Sequence, residues 1–274
     1  MDTVVLVTGA TSGLGRALAR ELAARGAAVL LHGRDAAKGE ETLRAIREAT
    51  GSERLRFYRA DLASLAQVRA LAEQVLAEQE RLDVLVNNAG VGASWRGRGR
   101  RELSEDGYEL RFAVNYLAPF LLTRLLQPLL VRSAPARIVN VASAGQAAID
   151  LDDLMLERDY SDVEAYCRSK LALVMLTFDL AEELRGRGVT ANCLHPGTFM
   201  PTKMVLEAGV RPVDSLETGV QATLRLVLAP ELEGVTGRYF ERTREARAHP
   251  QAYDREVRRR LREVSERLVG LAAP

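Results

Sequence analysis

Val-Thr-Gly-Ala-Thr-Ser-Gly-Leu-Gly, residues 7–15, joins a short apolar run to an Ala/Leu-rich stretch with helical periodicity. Gly9 suits a tight turn, Gly13 leaves room for a phosphate beside the backbone, and Gly15 permits close packing of helix on strand. The helix start offers unpaired N–H groups and a partial positive charge to a pyrophosphate. The strand–turn–helix context therefore predicts a nucleotide-binding loop, although the spacing G-x-x-x-G-x-G differs from the commoner G-x-G-x-x-G. Its predicted contacts are Gly9, Thr11, Ser12, Gly13, Leu14 and Gly15.

Short apolar runs alternate with longer amphipathic stretches along the whole chain. Most runs are continuous in Val, Ile, Leu and Ala, which is typical of parallel strands buried on both faces. Strands are predicted at residues 3–8, 27–32, 55–58, 82–87, 137–142, 190–194 and, more weakly, 237–240. Helices are predicted at residues 14–25, 36–50, 64–80, 105–132, 163–187 and 216–229. The alternation predicts an α/β class fold, a doubly wound Rossmann sheet with helices on both faces.

Composition is typical of a soluble globular protein and excludes several classes. The 274 residues are 47% hydrophobic and 27% charged, with 38 basic against 37 acidic side chains and a formal net charge of +1. This balance supplies no strong field for phosphates, so we expect no nucleic-acid partner. The two cysteines, Cys167 and Cys193, form no disulfide framework, which favours a reducing compartment. No uninterrupted apolar run reaches the roughly 18–20 residues of a membrane span, and no secretory signal stands out.

No linker or repeat divides the chain, so we predict a single dinucleotide-binding and catalytic domain over residues 1–274. Residues 241–274 would form its C-terminal helical extension, since Val257, Leu261, Val264 and Leu268 recur at helical spacing in an Arg-rich tail. This stripe predicts a terminal helix packed on the domain; the alternative is a partner-binding helix. The basic stretch at residues 95–101, Trp-Arg-Gly-Arg-Gly-Arg-Arg, is interpreted as a solvated loop, with a phosphate or acidic substrate as the alternative ligand.

Further motifs stand in order along nearly the whole chain. They are the glycine loop, Asn-Asn-Ala-Gly at 87–90, Tyr-Cys-Arg-Ser-Lys at 166–170 and Pro-Gly at 196–197. Together they resemble the short-chain dehydrogenase/reductase family over residues 3–240. The stretches at 112–115, 150–153 and 195–197, and the long interval between Ser143 and Tyr166, resemble its retinol-dehydrogenase-like branch. The resemblance implies a nicotinamide cofactor, a seven-stranded parallel sheet and reversible hydride transfer between an alcohol and a carbonyl.

The residues after the second strand bear on the choice of cofactor. An acidic residue at the strand tip binds the ribose hydroxyls of NAD, whereas an arginine pairs with the 2′-phosphate of NADP. Arg34 comes first after the strand, and Asp35 suits a helix cap. We therefore predict NADP, with NAD as the alternative.

The resemblance assigns the remaining cofactor contacts by position. Asp61 and Leu62 would flank the adenine, and Asn88, Ala89 and Gly90 would touch the ribose or stabilise the sheet. Pro196 and Gly197 would form the turn on the nicotinamide side, and Tyr166 and Lys170 would also contact the cofactor. The threonine that follows the turn in the family falls one residue late as Thr202, so Thr198 is the alternative.

The predicted catalytic residues are Asn115, Ser143, Tyr166 and Lys170. Tyr166 and Lys170 are four residues apart, so on a helix they share one face. A phenol can protonate the oxygen of a carbonyl that receives hydride, but its ordinary pKa of about 10 is poorly matched to neutral pH. A nearby ammonium lowers that pKa, and Lys170 is predicted to do so. Ser143, after the fifth strand, and Asn115, in the fourth helix, match positions of the family. The resemblance implies that Ser143 holds the substrate oxygen and that Asn115 holds a water linking Lys170 to solvent.

Other polar residues receive simpler interpretations. Cys167 points about 100° round the helix from Tyr166 and is interpreted as a small buried residue. His195, before Pro-Gly, is interpreted as a turn residue rather than an acid or base. The sequence shows no His/Cys/Asp cluster with metal-ligand spacing, so no metal is expected.

The stretch at 199–214 predicts a lid over the nicotinamide face and an apolar alcohol or carbonyl compound as substrate. The stretch contains the apolar residues Phe199, Met200, Met204, Val205, Leu206 and Val210, and core packing is the alternative for several of them. Two alternatives stay open: a catalytically silent NAD(P)-binding regulator of the same fold, and a sugar-nucleotide epimerase or dehydratase, which needs a larger C-terminal domain. Vertebrate members of the branch often carry a membrane anchor, and none stands out here, so we expect a cytoplasmic protein without a membrane partner. A homodimer or homotetramer is implied by the resemblance alone.

Overall fold

The computed structural model describes residues 3–94 and 99–271, which form an α/β structure around one sheet. The positions 95–98 of the predicted basic loop lie outside the described residues. The sheet contains β1 (Val4–Val7), β2 (Ala28–Gly33), β3 (Leu55–Arg59), β4 (Val84–Asn87), β5 (Ala136–Val141), β6 (Val189–His195), β7 (Tyr239–Glu241) and β8 (Arg244–Ala246). Its strand order is β3-β2-β1-β4-β5-β6-β7-β8.

Seven of these strands run parallel, as predicted, and β8 runs antiparallel to β7. The sheet thus has one strand more than the family resemblance implies. The sequence pattern did not predict this extra strand, because β7 and β8 are only three residues each. Their turn, at Arg242 and Thr243, also lacks the Gly or Asn that usually marks a tight hairpin. Arg242 itself takes the positive φ of 54° that glycine favours.

Helices cover both faces of the sheet. They are α1 (Gly13–Ala24), α2 (Ala36–Thr50), α3 (Leu65–Glu78), α4 (Leu110–Phe112), α5 (Ala118–Arg132), α6 (Asp162–Glu183), α7 (Lys203–Glu207), α8 (Leu216–Leu228) and α9 (Arg255–Leu268). A π-helical turn, Ala113–Leu117, joins α4 to α5. Asp35 caps α2 as predicted, since its carboxylate accepts from the Lys38 amide at 3.2 Å.

Alternate strand residues enter two separate cores. Leu6, Leu85 and Ile138 belong to the larger cluster, with residues of α3, α5 and α6, whereas Val7 and Val86 belong to the cluster with α1 and α8. Both faces of each strand are therefore buried, which explains the continuous apolar runs in the sequence.

The helical stretch Leu110–Arg132 spans 23 residues with a mean hydropathy of 1.3 over its most apolar window. By length and composition it could cross a membrane, although Arg111 and Arg124 interrupt its apolar residues. In the structure 72% of that window is buried inside the protein, so packing in the core accounts for its composition.

The C-terminal helix α9 packs on the larger core through Val257, Leu261 and Leu268, three of the four residues predicted to form its apolar side. Polar contacts fix it further: the Tyr116 hydroxyl meets Ser265 Oγ at 2.7 Å, and Arg258 lies 3.4 Å from the Asp179 carboxylate. The tail is therefore part of the folded body rather than a free arm.

Candidate active site

Several of the predicted site residues follow the carboxyl ends of four neighbouring strands. The glycine loop follows β1, Asn88 follows β4, Ser143 follows β5 and Pro196 follows β6. Parallel strands bring these ends to one edge of the sheet, where ligands bind in open α/β folds. We therefore take this edge as the candidate cofactor site and call it the crevice.

Two glycines of the loop have the roles assigned from the sequence. Gly9 has a φ of 65°, and a Cβ there would lie 2.8 Å from Ala89 Cα. A Cβ on Gly15 would lie 2.3 Å from the Gly9 carbonyl oxygen and 2.5 Å from Asn88 Nδ2. Neither position has room for a side chain.

The first turn of α1 fits an anionic group such as a pyrophosphate. Ser12 holds the N-cap position but makes no side-chain hydrogen bond there, so it does not satisfy the amides that open the helix. These amides and the helix dipole favour negative charge. A Cβ built on Gly13 would lie 3.1 Å from Thr202 Cγ2, so Thr202 lies against this loop.

Thr8 and Asn88 join the glycine loop to the loop after β4. The Thr8 hydroxyl accepts from the amides of Asn88 and Ala89 at 2.9 and 3.0 Å, and Asn88 Nδ2 donates to the Thr8 carbonyl at 2.8 Å. The side chain of Asn88 thus stabilises the sheet edge, one of the two roles predicted for it. The next residues, Ala89 and Gly90, are half-buried at the crevice.

Arg34 is exposed at the end of β2, and a second arginine lies beside it. Arg59, the last residue of β3, pairs with Gly33 in the sheet and donates from Nε to the Arg34 carbonyl at 3.3 Å. Asp35 faces its own helix as a cap. Sequence reasoning missed Arg59 because the predicted strand ends at Tyr58, and only strand pairing brings the two arginines together.

His32 is a further residue whose role the sequence did not reveal. It is 2% exposed; its Nδ1 accepts from the Gly9 amide at 3.2 Å, and its Nε2 lies 3.1 Å from the Ala60 carbonyl. This network assigns the proton to Nε2. Burial lowers the pKa of His32 to about 4, so the ring is neutral and ties the glycine loop to the end of β3.

Asp61 and Leu62 follow β3 at the same edge. The Asp61 carboxylate accepts from the Ala63 amide at 2.9 Å within its own turn, and the Asp61 amide donates to Gln67 at 2.9 Å. Leu62 is buried in the larger core. These local bonds fix Asp61 in the turn that follows β3.

Tyr166, Ser143 and Lys170 come together as predicted. Ser143 Oγ accepts from the Gly145 amide at 3.0 Å, and a Cβ on Gly145 would lie 3.5 Å from Ser143 Oγ and 3.8 Å from Tyr166 Cε1. Lys170 Nζ lies 5.8 Å from the centre of the Tyr166 ring and donates to the Val141 carbonyl at 2.9 Å. A phenol, a hydroxyl and an amine thus meet at the carboxyl end of β5.

The electrostatics differ from the prediction in one respect. Burial raises the pKa of Tyr166, and the hydrogen bond from Ser143 opposes that rise. Burial also lowers the pKa of Lys170 to about 8. The predicted lowering of the phenol pKa by the ammonium is therefore wrong for this state of the protein, because desolvation of both groups dominates.

Asn115 lies inside the π-helical turn and is fully buried. Its Oδ1 accepts from the Val91 amide at 2.7 Å, and its Nδ2 donates to the Val91 carbonyl and to Ser169 Oγ, each at 3.0 Å. A Cβ on Gly90 would lie 3.1 Å from Asn115 Oδ1 and 3.5 Å from Lys170 Nζ. Asn115 and Lys170 therefore flank one backbone position, Gly90.

Hydrogen bonds join the two ends of the loop that follows β6. The Asp214 amide donates to the Thr198 carbonyl at 2.9 Å, and the Thr198 amide donates to Asp214 Oδ2 at 2.6 Å. Arg242 also holds that carboxylate at 2.6 Å, and these bonds keep the pKa of Asp214 below its usual range. The Thr198 hydroxyl meets His195 Nε2 at 3.1 Å, so His195 stabilises this turn, as interpreted from the sequence.

The predicted lid residues divide between core and surface. Met200 and Val205 are buried, whereas Leu206 is 57% exposed. Met204 packs over Gly92, where a Cβ would lie 2.4 Å from its Cγ. The segment thus presents apolar side chains next to the loop after β4.

Cys167 lies against the loop after β5 rather than in the core. A Cβ on Gly145 would lie 3.3 Å from its Sγ, and burial raises the pKa of this half-buried thiol. Within residues 3–94 and 99–271, no group of three or more His, Cys, Asp or Glu side chains could hold a metal ion. The expectation of no metal stays a prediction.

The fold, the glycine loop and the Ser–Tyr–Lys cluster agree with the family resemblance, and comparison with known proteins confirms it. The chain belongs to the short chain dehydrogenase family, whose model matches residues 3–210. It is similar to retinol dehydrogenase 13 of Mus musculus, with 43% identity over 286 residues that cover 98% of this chain and 84% of that protein.

Two solved structures also resemble this chain closely. The RhlG/NADP active-site complex of Pseudomonas aeruginosa has a TM-score of 0.70 and 30% identity, and the match covers 87% of this chain and 94% of that one. The 3-ketoacyl-(acyl-carrier-protein) reductase from Brucella melitensis, complexed with NADH, has a TM-score of 0.70 and 25% identity, covering 87% and 96%. The short-chain dehydrogenase/reductase assignment makes this chain an oxidoreductase of alcohols and carbonyls.

Proposed function

We propose that the protein transfers a hydride between NADP and an apolar alcohol or carbonyl compound, with Tyr166 as the acid and base. One observation carries the proposal: Ser143 Oγ and the Tyr166 ring meet beside Gly145, where a Cβ would lie 3.5 and 3.8 Å from them, and the buried amine of Lys170 lies one turn beyond Tyr166 on the same helix. A nicotinamide cofactor, when bound, supplies the hydride for reduction and accepts it in oxidation.

In the reducing direction, negative charge develops on the carbonyl oxygen. The Ser143 hydroxyl donates a hydrogen bond to that oxygen, and the Tyr166 phenol gives it a proton, so an alcohol forms. Because the pKa of Tyr166 is raised, the phenol is protonated and ready to donate at neutral pH. In oxidation the same oxygen returns its proton to the Tyr166 phenolate.

Lys170 and Asn115 complete the proton path in this proposal. The Lys170 ammonium stabilises the phenolate after proton transfer, and its pKa of about 8 keeps it charged at neutral pH. Asn115 Oδ1 uses one lone pair for Val91 and has a second for a water between Lys170 and solvent. That water would return the proton to Tyr166.

The cofactor contacts follow from the crevice. The first turn of α1, with Thr11, Ser12 and Leu14 beside the glycines, would hold the pyrophosphate, and Asn88, Ala89 and Gly90 would border the ribose. Of the two threonine candidates, we assign the pyrophosphate contact to Thr202, which lies against Gly13, because Thr198 is engaged by His195 and Asp214. Pro196 and Gly197 would border the nicotinamide, and Asp61 and Leu62 the adenine.

The preference for NADP rests on Arg34 and Arg59. Two guanidinium groups at the ends of β2 and β3 suit a 2′-phosphate, and Asp35, the residue that would favour NAD, caps α2 instead. The NADP complex of RhlG agrees with this preference, and the NADH complex of the Brucella reductase shows why both cofactors must be tested.

An apolar substrate is favoured by the segment after β6, which lies against Gly13 through Thr202 and against Gly92 through Met204. Met204 and the exposed Leu206 lie on this segment next to the loop that carries Gly92. The name of the relative retinol dehydrogenase 13 adds a retinoid to the compounds worth testing. A cytoplasmic location without membrane attachment, a single domain over residues 1–274, and a homodimer or homotetramer are further parts of the proposal.

Cofactor oxidation by the purified protein tests the proposal. NADPH and NADH are each supplied with a panel of apolar aldehydes and ketones that includes retinal, and Tyr166→Phe serves as the inactive control. We expect NADPH-dependent turnover of at least one compound and none in the variant. Tight NADPH binding without turnover across the panel would instead favour the regulator.

A further inference from the structure

A buried ionic cluster lies one helical turn from Tyr166 and takes no part in the chemistry described above. Arg111, Glu109 and Asp162 are at most 5% exposed. Arg111 Nη1 lies 3.3 Å from Glu109 Oε1, and its Nη2 lies 3.7 Å from Asp162 Oδ2. The Tyr160 hydroxyl accepts from Arg111 at 2.9 Å and donates to Glu109 at 3.0 Å, so it completes the cluster.

The spacing of these residues matches that of the proposed catalytic groups. Asp162, Tyr166 and Lys170 follow one another every fourth residue of α6 and therefore share one face of that helix. On the facing segment, Arg111 precedes Asn115 by four residues, at the entry to the π-helical turn. The ion pair Arg111–Asp162 thus links two segments that each carry a catalytic group.

A second contact joins the same two segments on the other side of Tyr166. Asn115 Nδ2 donates to Ser169 Oγ at 3.0 Å, and Ser169 Oγ donates to the Tyr166 carbonyl at 2.7 Å. Tyr166 therefore lies between two cross-links, the ion pair at the start of α6 and the Asn115–Ser169 bond one turn beyond the phenol.

Both cross-links also hold the loop after β4, which borders the crevice. Arg111 Nε donates to the Gly92 carbonyl at 2.8 Å, and Asp162 Oδ2 accepts from the Ser94 amide at 2.6 Å. Asn115 holds the preceding residue, Val91, through both of its backbone groups. The loop, the π-helical turn and the start of α6 are thus fixed to one another by side chains.

Such a cluster is poorly explained by stability alone. Desolvation of buried charges commonly offsets their attraction, so a buried ion pair is weak evidence for a stabilising role. Small displacements of a catalytic group, by contrast, reduce rates strongly. Resting on the proposed function, we infer that Arg111 and Asp162 are positioning residues that hold the Tyr166 phenol and the Asn115 amide at the distance that catalysis needs.

The test compares buried ion pairs at the two ends of α6. Asp162→Asn and Arg111→Met disrupt the pair near Tyr166, and Asp179→Asn and Arg258→Met disrupt a pair near the end of the same helix, where Arg258 is 4% exposed. Glu164→Gln removes a half-buried charge two residues from Tyr166 and controls for charge alone. Each variant is measured for kcat, KM and thermal unfolding.

We expect Asp162→Asn and Arg111→Met to lower kcat by about 10- to 100-fold, with KM for the carbonyl compound changed less than threefold. The three control variants should keep kcat within about threefold of the unmodified protein, even where their unfolding temperature falls equally. A kcat loss in Asp179→Asn as large as in Asp162→Asn would overturn the inference, as would a loss expressed only in KM.

A second readout needs no turnover. Tyrosine labelled with 13C at Cζ gives one signal for each of the seven tyrosines, and the Tyr166 signal is the one missing in Tyr166→Phe. Asp162→Asn should shift or broaden that signal, whereas Glu164→Gln and Asp179→Asn should leave it in place. If the protein proves inactive but the signal responds, the proposed function fails and the positioning role stands; an unmoved signal in Asp162→Asn refutes the positioning role.

Discussion

Lys170 holds its amine 5.8 Å from the centre of the Tyr166 ring, while the same amine donates to the Val141 carbonyl at 2.9 Å. The carbonyl fixes the amine beside the phenol but leaves it two further protons to donate. Because both side chains project from one face of α6, their separation depends on a single regular helix rather than on a flexible loop.

This arrangement predicts that Tyr166→Phe abolishes turnover. The variant keeps the aromatic ring but lacks the hydroxyl that donates a proton to the substrate, so kcat should fall by at least about 100-fold. NADPH binding, followed by fluorescence titration, should stay within about threefold because the glycine loop is untouched. Retention of more than a tenth of the activity would show that another group supplies the proton.

The pH dependence of the two directions should differ. Reduction needs a protonated Tyr166, whose pKa is raised by burial, and a charged Lys170, whose pKa is about 8. The rate of carbonyl reduction, measured as kcat/KM, should therefore be level near neutral pH and decline as pH rises through about 8. Oxidation needs the phenolate, so its rate should rise with pH over the same range. A reduction rate that increases above pH 8 contradicts these assignments.

The arginines at the ends of β2 and β3 predict which cofactor is preferred. Arg34→Ala and Arg59→Ala should each weaken NADPH binding by about 10-fold or more while changing the Kd of NADH less than threefold, since only NADPH carries the 2′-phosphate. Arg54→Ala, at an exposed position next to the start of β3, is the matched control. If NADH binds more tightly than NADPH, and Arg34→Ala leaves both constants unchanged, NAD is the cofactor.

Arg34 and Arg59 also illustrate how far sequence reasoning reaches. Continuous apolar runs and glycine spacing predicted the parallel sheet and the loop after β1, because these depend on local patterns that burial imposes. Tyr166, Lys170 and Ser143 could be placed because they match the positions that the family resemblance implies, with two of them on one helix face and the third after a strand. Arg59 could not, since its position beside Arg34 depends on the register between β2 and β3.

The π-helical turn and the buried cluster escaped prediction for a related reason. The apolar pattern over residues 105–132 predicts one continuous helix, yet the helix begins at Leu110, where Glu109 accepts from the Phe112 amide at 2.8 Å. The cluster of Glu109, Arg111 and Asp162 unites residues about 50 positions apart, which no local pattern reveals. The raised pKa of Tyr166 likewise depends on burial rather than on its spacing from Lys170.

The close packing around Gly15 predicts that adding a methyl group there reduces both stability and cofactor binding. In Gly15→Ala the new Cβ would lie 2.3 Å from the Gly9 carbonyl oxygen, a backbone atom that cannot move away freely. We expect a destabilisation of roughly 1–3 kcal/mol by urea unfolding and at least about 10-fold weaker NADPH binding. Gly51→Ala is the control: its surroundings are open, so it should destabilise through its φ of 68° alone and leave NADPH binding unchanged.

His32 predicts how stability changes on acidification. Its pKa is lowered from 6.5 to about 4 in the folded protein, so the unfolded chain binds this proton first as pH falls. The contribution of the neutral ring is therefore fully present above pH 6.5 and is lost progressively as pH falls toward 4, at about 1.4 kcal/mol per pH unit and about 3 kcal/mol in total.

His32→Gln tests this, because the glutamine amide can still accept and donate hydrogen bonds but does not titrate. In this variant the free energy of unfolding should fall less between pH 7 and pH 5 than in the unmodified protein. Urea unfolding at several pH values measures this slope, and His249→Gln, at a half-buried position near the C-terminal end, should leave it unchanged. Equal slopes in His32→Gln and the unmodified protein would mean that the ring is not held neutral between the Gly9 amide and the Ala60 carbonyl.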